Sequence, residues 1–207
     1  MIISVEGYEK ALELSLDALK KGKLIIYPTD TLYGLGADAR SEKAVAKVRE
    51  AKGRDDGKPI SIVCSGLLMI EEYCTVSEKN RNLMSDMLPG PYTVVLPLKK
   101  ELPKSLVGDG KTVGVRVPQY FFLLDLIKAC GFPITATSAN VSGGKEPCSL
   151  SEVPEELMKR AEVAIEGGSC FHSAPSTILD LTGEEPKVLR RGAGKFPIEK
   201  EFDSSII

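Results

Sequence analysis

Residues 23–39 read KLIIYPTDTLYGLGADA, and this stretch sets the fold. Its apolar run, Leu24-Ile25-Ile26-Tyr27, is too short for a helix and stops at Pro28, so it reads as a buried strand. A polar loop follows: Thr29, Asp30 and Thr31, then Gly34 and Gly36. Upstream, Tyr8, Ala11, Leu12, Leu16 and Leu19 recur at helical spacing and Gly22 ends the pattern. Downstream, Ser41 caps a helix running to Ala51, with Ala44, Val45 and Val48 on one face and Gly53 past its end.

The same alternation continues along the chain. PISIVCS (59–65), YTVVLPL (92–98) and TVGVRVP (112–118) read as strands. Residues 77–88 read as a helix capped by Ser77 and stopped at Pro89-Gly90-Pro91. Residues 119–130 read as an apolar helix through Phe121, Phe122, Leu124, Leu126 and Ile127, ended by Gly131. PITATSAN (133–140) starts as a strand and ends as a polar turn; 151–161 is helical; EVAIEGG, STILDLT and KVLRRG close the chain as strands. Interleaved helices and strands, with strand pairs close enough to be hairpins, predict an α/β fold with a mixed sheet, parallel and antiparallel. One domain is expected over 1–207, with a motif-bearing region at about 24–194 and a short tail.

Composition narrows the chemistry. With 27 Lys and Arg against 29 Asp and Glu, the net charge of −2 excludes binding nucleic acid by bulk charge. Five cysteines at irregular gaps form neither a disulfide framework nor a CxxC zinc site, and read as reduced cytosolic thiols. The N-terminus has an early Glu and no long apolar run, so no signal peptide is expected, and no stretch is apolar enough to span a membrane. A Ser-His-Asp hydrolase would need the single histidine, His172, which lies in a small-residue loop. SLVGDGKT (105–112) ends like a P-loop, but Ser105 replaces the first glycine and a strand pattern follows where a helix is required.

Six segments can carry chemistry. PTDTLYGLGADA (28–39) either binds a ligand at a strand end or merely caps the next helix. AKGRDDGKP (51–59) places Lys52, Arg54 and Lys58 either on an anion or against a helix C-terminus, and Lys58, beyond the helix, favours the anion. TATSANVSGG (135–144) crowds Thr137, Ser138, Asn140 and Ser142 at a strand end. Arg116 interrupts an apolar strand and needs a partner or a ligand. Ser176 and Thr177 open a strand, and Arg190-Arg191 precede a glycine pair. Cations and hydroxyls without a nucleophile-base pair fit transfer at phosphorus, where a protein mostly positions reactants and stabilises charge.

PTDTLYGLG, KGRDDGKP, LPGPYTVVLP, GVRVP, TATSANVSG, PSTILDL and LRRGAG, in this order, resemble the YrdC-like domain family, in particular its archaeal-style single-domain forms that make threonylcarbamoyl-adenylate. The resemblance implies a twisted mixed sheet with flanking helices around a deep cavity. It implies a nucleotidyl transfer: L-threonine, bicarbonate or CO2, and ATP with Mg2+ give threonylcarbamoyl-AMP and pyrophosphate. The product goes to a separate transferase complex for N6-threonylcarbamoyladenosine in tRNA, any tRNA contact by this chain being weak or indirect, in the cytoplasm and away from membranes.

On the matching positions, Thr31, Arg116 and Ser176, with the backbone near Ala136, hold threonine and its carbamate. Arg54, Lys58, Thr112, Ser138, Asn140 and Arg190 hold ATP, and Lys52 and Arg54 are the catalytic cations; no metal is held by protein side chains alone. Val63 stands where many relatives carry histidine, and Cys148 stands where many carry serine, in a loop with an extra residue. The end of the chain soon after LRRGAG implies that the further domain of longer relatives is missing. An RNA-binding module and carbamoyl transfer of the hydrogenase-maturation type are the rival readings.

Overall fold

The computed structural model describes residues 1–53, 58–108 and 110–195. Strand β2 (Leu24–Tyr27) is buried along its whole length, as a short apolar run flanked by two neighbours must be. The sheet around it has four strands in the order β1-β8-β2-β3, with β1 Ile2–Ser4, β8 Ala161–Glu166 and β3 Gly34–Gly36. β2 runs parallel to β8, with Ile25 opposite Val163, and antiparallel to β3, with Tyr27 opposite Gly34.

A second sheet has six strands in the order β10-β9-β5-β6-β4-β7. These are β4 Ser61–Val63, β5 Tyr92–Pro97, β6 Thr112–Arg116, β7 Ile134–Ala136, β9 Thr177–Asp180 and β10 Lys187–Arg190. Antiparallel and parallel pairings alternate across it. The mixed pairing agrees with the sequence reading, but there are two sheets rather than one. They are stitched where β3 meets β7: Leu35 N–H donates to the Thr137 carbonyl at 2.8 Å, Thr135 N–H to Ala37 at 2.9 Å, and Gly34 bridges Ser138.

Helices α1 (Tyr8–Lys20), α2 (Glu42–Lys52), α3 (Leu67–Tyr73), α4 (Glu78–Met87), α5 (Lys104–Val107), α6 (Phe121–Cys130) and α7 (Glu155–Arg160) complete the chain. Ser41 and Ser77 cap α2 and α4 by accepting from the N–H three residues on, and Gly53 ends α2 in the left-handed region, as their sequences dictate. One core lies under α2, α3 and α4, around Val48, Ile62, Ile70, Met84 and Leu96. The other lies between α1, α6 and the sheets, around Leu19, Ile25, Leu126 and Ile165.

The buried face of α6 departs from the expectation. Phe122, Leu123, Leu126 and Ile127 are inside, whereas Phe121 is 81% exposed. The helix docks on α1 through Phe122, whose ring meets Tyr8 edge-on, and that contact fixes its rotation. The run 105–112 is no P-loop: its first residues close the single turn α5 at Val107, and Thr112 opens strand β6 where a P-loop needs a helix.

β3 is missing from the sequence reading because Gly-Leu-Gly has the composition of a turn. Its glycines have a packing reason. A Cβ on Gly34 would sit 2.5 Å from the Tyr27 ring. That ring is buried, and its hydroxyl donates to the Thr135 carbonyl at 2.8 Å, so it has nowhere to go. Gly34→Ala is therefore expected to lower unfolding free energy by about 1–3 kcal/mol, measured by urea denaturation; an unchanged midpoint would show that the ring yields.

Candidate functional site

The loop leaving β2 folds on its own threonine. Thr29 Oγ1 accepts from the N–H groups of Thr31 (3.0 Å) and Leu32 (3.1 Å) and donates to the Leu32 carbonyl. The turn carries Asp30 and Thr31 under the end of β6, where both meet Arg116. Arg116 Nη2 donates to Thr31 Oγ1 at 2.7 Å and to Asp30 Oδ1 at 3.2 Å. The other carboxylate oxygen of Asp30 accepts from Gln119 N–H, and the Asp30 carbonyl accepts from His172 N–H. Arg116 Nε is buried with no hydrogen-bond partner among the described residues. Burial pulls the Arg116 guanidinium below its ordinary value, Asp30 and Tyr27 push it back up, and Arg190 lowers it further. A buried N–H left unmade is costly, so it marks where an anion would be welcome.

Arg116 opens into a cavity of about 290 Å³. On another wall, Arg190 donates through Nε and Nη2 to the Ser176 carbonyl at 3.2 and 2.9 Å, and Ser176 Oγ lies 2.7 Å from Thr93 Oγ1. Ala136, Thr137 and Ser138 line a third wall, and Glu146 faces the same space. Two guanidinium groups and several hydroxyls thus share one hollow. A cavity this small suits a compact polar ligand.

The structure brings Arg116, Ala136, Ser138, Ser176 and Arg190 onto the cavity wall. Thr31 is fully buried behind Arg116 and steers it. Lys52 is buried too: its ammonium donates to the carbonyls of Ser138 and Asn140 and to Asn140 Oδ1, holding the loop after β7 in shape. Asn140 belongs to that brace, accepting from Ser138 Oγ at 2.7 Å and donating to the Gly144 carbonyl at 2.7 Å. Lys58 is exposed beside Pro59, which lines the cavity. Thr112 pairs with Pro97 at the start of β6, outside the lining, and Val63 is buried in β4. Arg54 lies outside the described residues. His172 is half-buried in a loop, its ring against Phe171, and does not line the cavity.

Sequence reasoning passed over Asp30 as a site residue, and Thr93 and Glu146 entirely. Asp30 had a signal: an arginine inside an apolar strand calls for a carboxylate, and Asp30 sits in the first polar loop. Among the described residues, no group of three or more His, Cys, Asp or Glu side chains is placed to hold a metal ion. Nor, among them, is any helix long and apolar enough to cross a membrane.

Residues 17–192 match the family model Sua5_yciO_yrdC, described as Telomere recombination. A Methanocaldococcus jannaschii protein is 35% identical over 198 residues, covering 96% of this chain and 92% of its own length. The threonylcarbamoyl-AMP synthase of Bacillus subtilis is 35% identical over 191 residues, covering 91% of this chain, which spans only 54% of that protein. The solved structure of Pyrococcus abyssi Sua5 complexed with L-threonine superposes with a TM-score of 0.87 at 36% identity, over 93% of this chain and 57% of that one. By extent of match and by fold, the chain belongs to the Sua5/YciO/YrdC family.

Proposed function

We propose that this chain joins L-threonine, bicarbonate or CO2, and ATP into threonylcarbamoyl-AMP and pyrophosphate, supplying a separate transferase that modifies tRNA in the cytoplasm. The observation that carries the reading is the pair of guanidinium groups on one cavity, Arg116 fixed from behind and Arg190 on the wall of Ser176. Relatives that bear the synthase name, and a threonine-bound relative of the same fold, support it.

The reaction must bring two anions together. The threonine amine adds to CO2 as a carbamate, and a carbamate oxygen attacks the α-phosphorus in line while pyrophosphate leaves. Arg116 offers fixed donors to the carboxylate or carbamate and loses no freedom in doing so. Arg190 and Ser176 line the same cavity, and Lys58 is exposed next to Pro59 of the lining. Holding both reactants in register can supply on the order of 7–11 kcal/mol. No side chain forms a covalent intermediate, which suits a cavity whose described lining residues include no histidine or cysteine.

Mg2+ would arrive with the triphosphate, as is usual when phosphates supply most of its ligands. The donor set fits that arrangement: among the described residues, Glu146 is the one carboxylate in the cavity lining, and Asp30 is engaged by Arg116. The ion's chemistry is neutralisation of the leaving pyrophosphate.

The test is pyrophosphate release with threonine, bicarbonate or ATP omitted in turn. Release is expected to need all three. Release without threonine, or ATP cleavage driven by carbamoyl phosphate, would replace this reading with the carbamoyl-transfer one.

A further inference from the structure

Cys148 and Cys170 stand on two different loops beside the cavity and are joined through their backbones: Cys170 N–H donates to the Cys148 carbonyl at 2.8 Å. A single bond of this kind holds two α-carbons within about 7 Å of each other, a range that overlaps the roughly 4.4–6.8 Å that a disulfide spans. The Cys148 sulfur is also near enough for its charge to act on the Cys170 thiol. Both thiols are free, Cys148 partly exposed and Cys170 buried.

Both loops are tied to the segment that holds Arg116. The residue before Cys148, Pro147, accepts from Tyr33 N–H at 2.9 Å, and Glu146 before it faces the cavity. On the other loop, His172 N–H reaches the Asp30 carbonyl at 2.9 Å. The Thr29 N–H is close enough to the Cys170 sulfur to favour its thiolate. Thr29 is the residue on which the Asp30–Thr31 turn is folded.

We propose that Cys148 and Cys170 are an oxidative modification site that takes low-molecular-weight disulfides and, once cross-linked, loosens the hold on Arg116. In the first step the Cys148 thiolate attacks one sulfur of the incoming disulfide, whose S–S bond breaks and releases one thiolate. Cys170 then gives its proton to solvent and attacks the Cys148 sulfur, expelling the second thiolate. Two protein thiols are oxidised and one small disulfide is reduced to two thiols. The exposures fix this order: Cys148 is reachable, while burial pushes the Cys170 thiol up to about 11, so it resolves rather than enters. Turning the Cys170 sulfur toward Cys148 shifts the loop whose His172 N–H holds the Asp30 carbonyl and moves the sulfur away from Thr29, so the turn presenting Thr31 to Arg116 loses a support.

The whole chain, incubated with glutathione disulfide under native conditions, is expected to yield a Cys148–Cys170 linked peptide in non-reducing mapping, with Cys64 and Cys74 still alkylated after unfolding. The KM for threonine in pyrophosphate release should rise at least fivefold and return with dithiothreitol. Cys148→Ser should keep its activity in the reduced state and ignore the oxidant. The kinetic arm rests on the function proposed above; the mapping arm does not, so the two can fail separately. A glutathione adduct that remains on Cys148, or no modification, removes the site. A complete cross-link with unchanged KM removes its connection to Arg116.

Discussion

Arg116→Ala should cut threonine-dependent pyrophosphate release, measured as kcat/KM for threonine, at least a hundredfold, about 2.7 kcal/mol of transition-state stabilisation. The expectation follows from how the side chain is held. Its Nη2 is taken by Thr31 and Asp30, its Nε has no partner among the described residues, and the side chain lines the cavity. Such a group enters the reaction already aimed, so its whole interaction with a developing negative charge is realised without reorganisation. Arg116→Lys keeps the charge and loses the fork, and should cost about tenfold. A melting curve accompanies each variant, because either substitution leaves Asp30 without its present partner. If Arg116→Ala turned over threonine within threefold of the parent while folded, the guanidinium would have no part in the chemistry.

The elements that the sequence disclosed are those with strong local signals. β2, β5 and β6 are apolar runs between breakers, and α2 and α4 carry serine caps that the structure uses as drawn. β1 and β3 were illegible for a physical reason. Each has three residues, and each is a strand only because a neighbour from a distant part of the chain lies beside it: β8 for one, β2 for the other. The division into two sheets is likewise a long-range fact, set by the β3–β7 stitching. On α6 the residue types were right and the rotation wrong, since Phe121 and Phe122 are equally apolar and only the contact with Tyr8 chooses between them.

The site shows the same limit. Motif order brought Arg116, Ser138, Ser176 and Arg190 to one cavity, which strand spacing alone could not have done. What it could not give was which residues face the ligand and which stand behind. Lys52 and Asn140 sit in polar runs like their neighbours, yet their polar atoms close a brace on the loop after β7. Lys52, read as a catalytic cation, has its ammonium on the Ser138 and Asn140 backbone, a contact that no motif announces. Burial draws this distinction: Lys52 is only 3% exposed and sits on carbonyl oxygens.

The largest effect on stability should come from Asp30→Ala. Asp30 is 5% exposed and joins three parts of the chain: Arg116 on β6, the Gln119 N–H at the start of the α6 approach, and, through its carbonyl, the loop of His172. Removing the carboxylate keeps the backbone contact but leaves a buried guanidinium facing Arg190 with only the Thr31 hydroxyl for company. Breaking a buried pair in this way costs about 3–5 kcal/mol, and for a chain of this size that lowers Tm by roughly 6–20 °C. Asp30→Asn, which retains an acceptor but no charge, should fall between. Activity separates the two roles of the residue. If Asp30 serves only the fold, the folded fraction of Asp30→Asn will bind threonine as the parent does. If it aims Arg116, the KM for threonine will rise in Asp30→Asn at temperatures well below its Tm, while excess threonine recovers most of kcat. Melting of Asp30→Ala within 2 °C of the parent would mean that Arg116 is held by Thr31 and the cavity wall alone, and the positioning argument would then pass from the carboxylate to the hydroxyl.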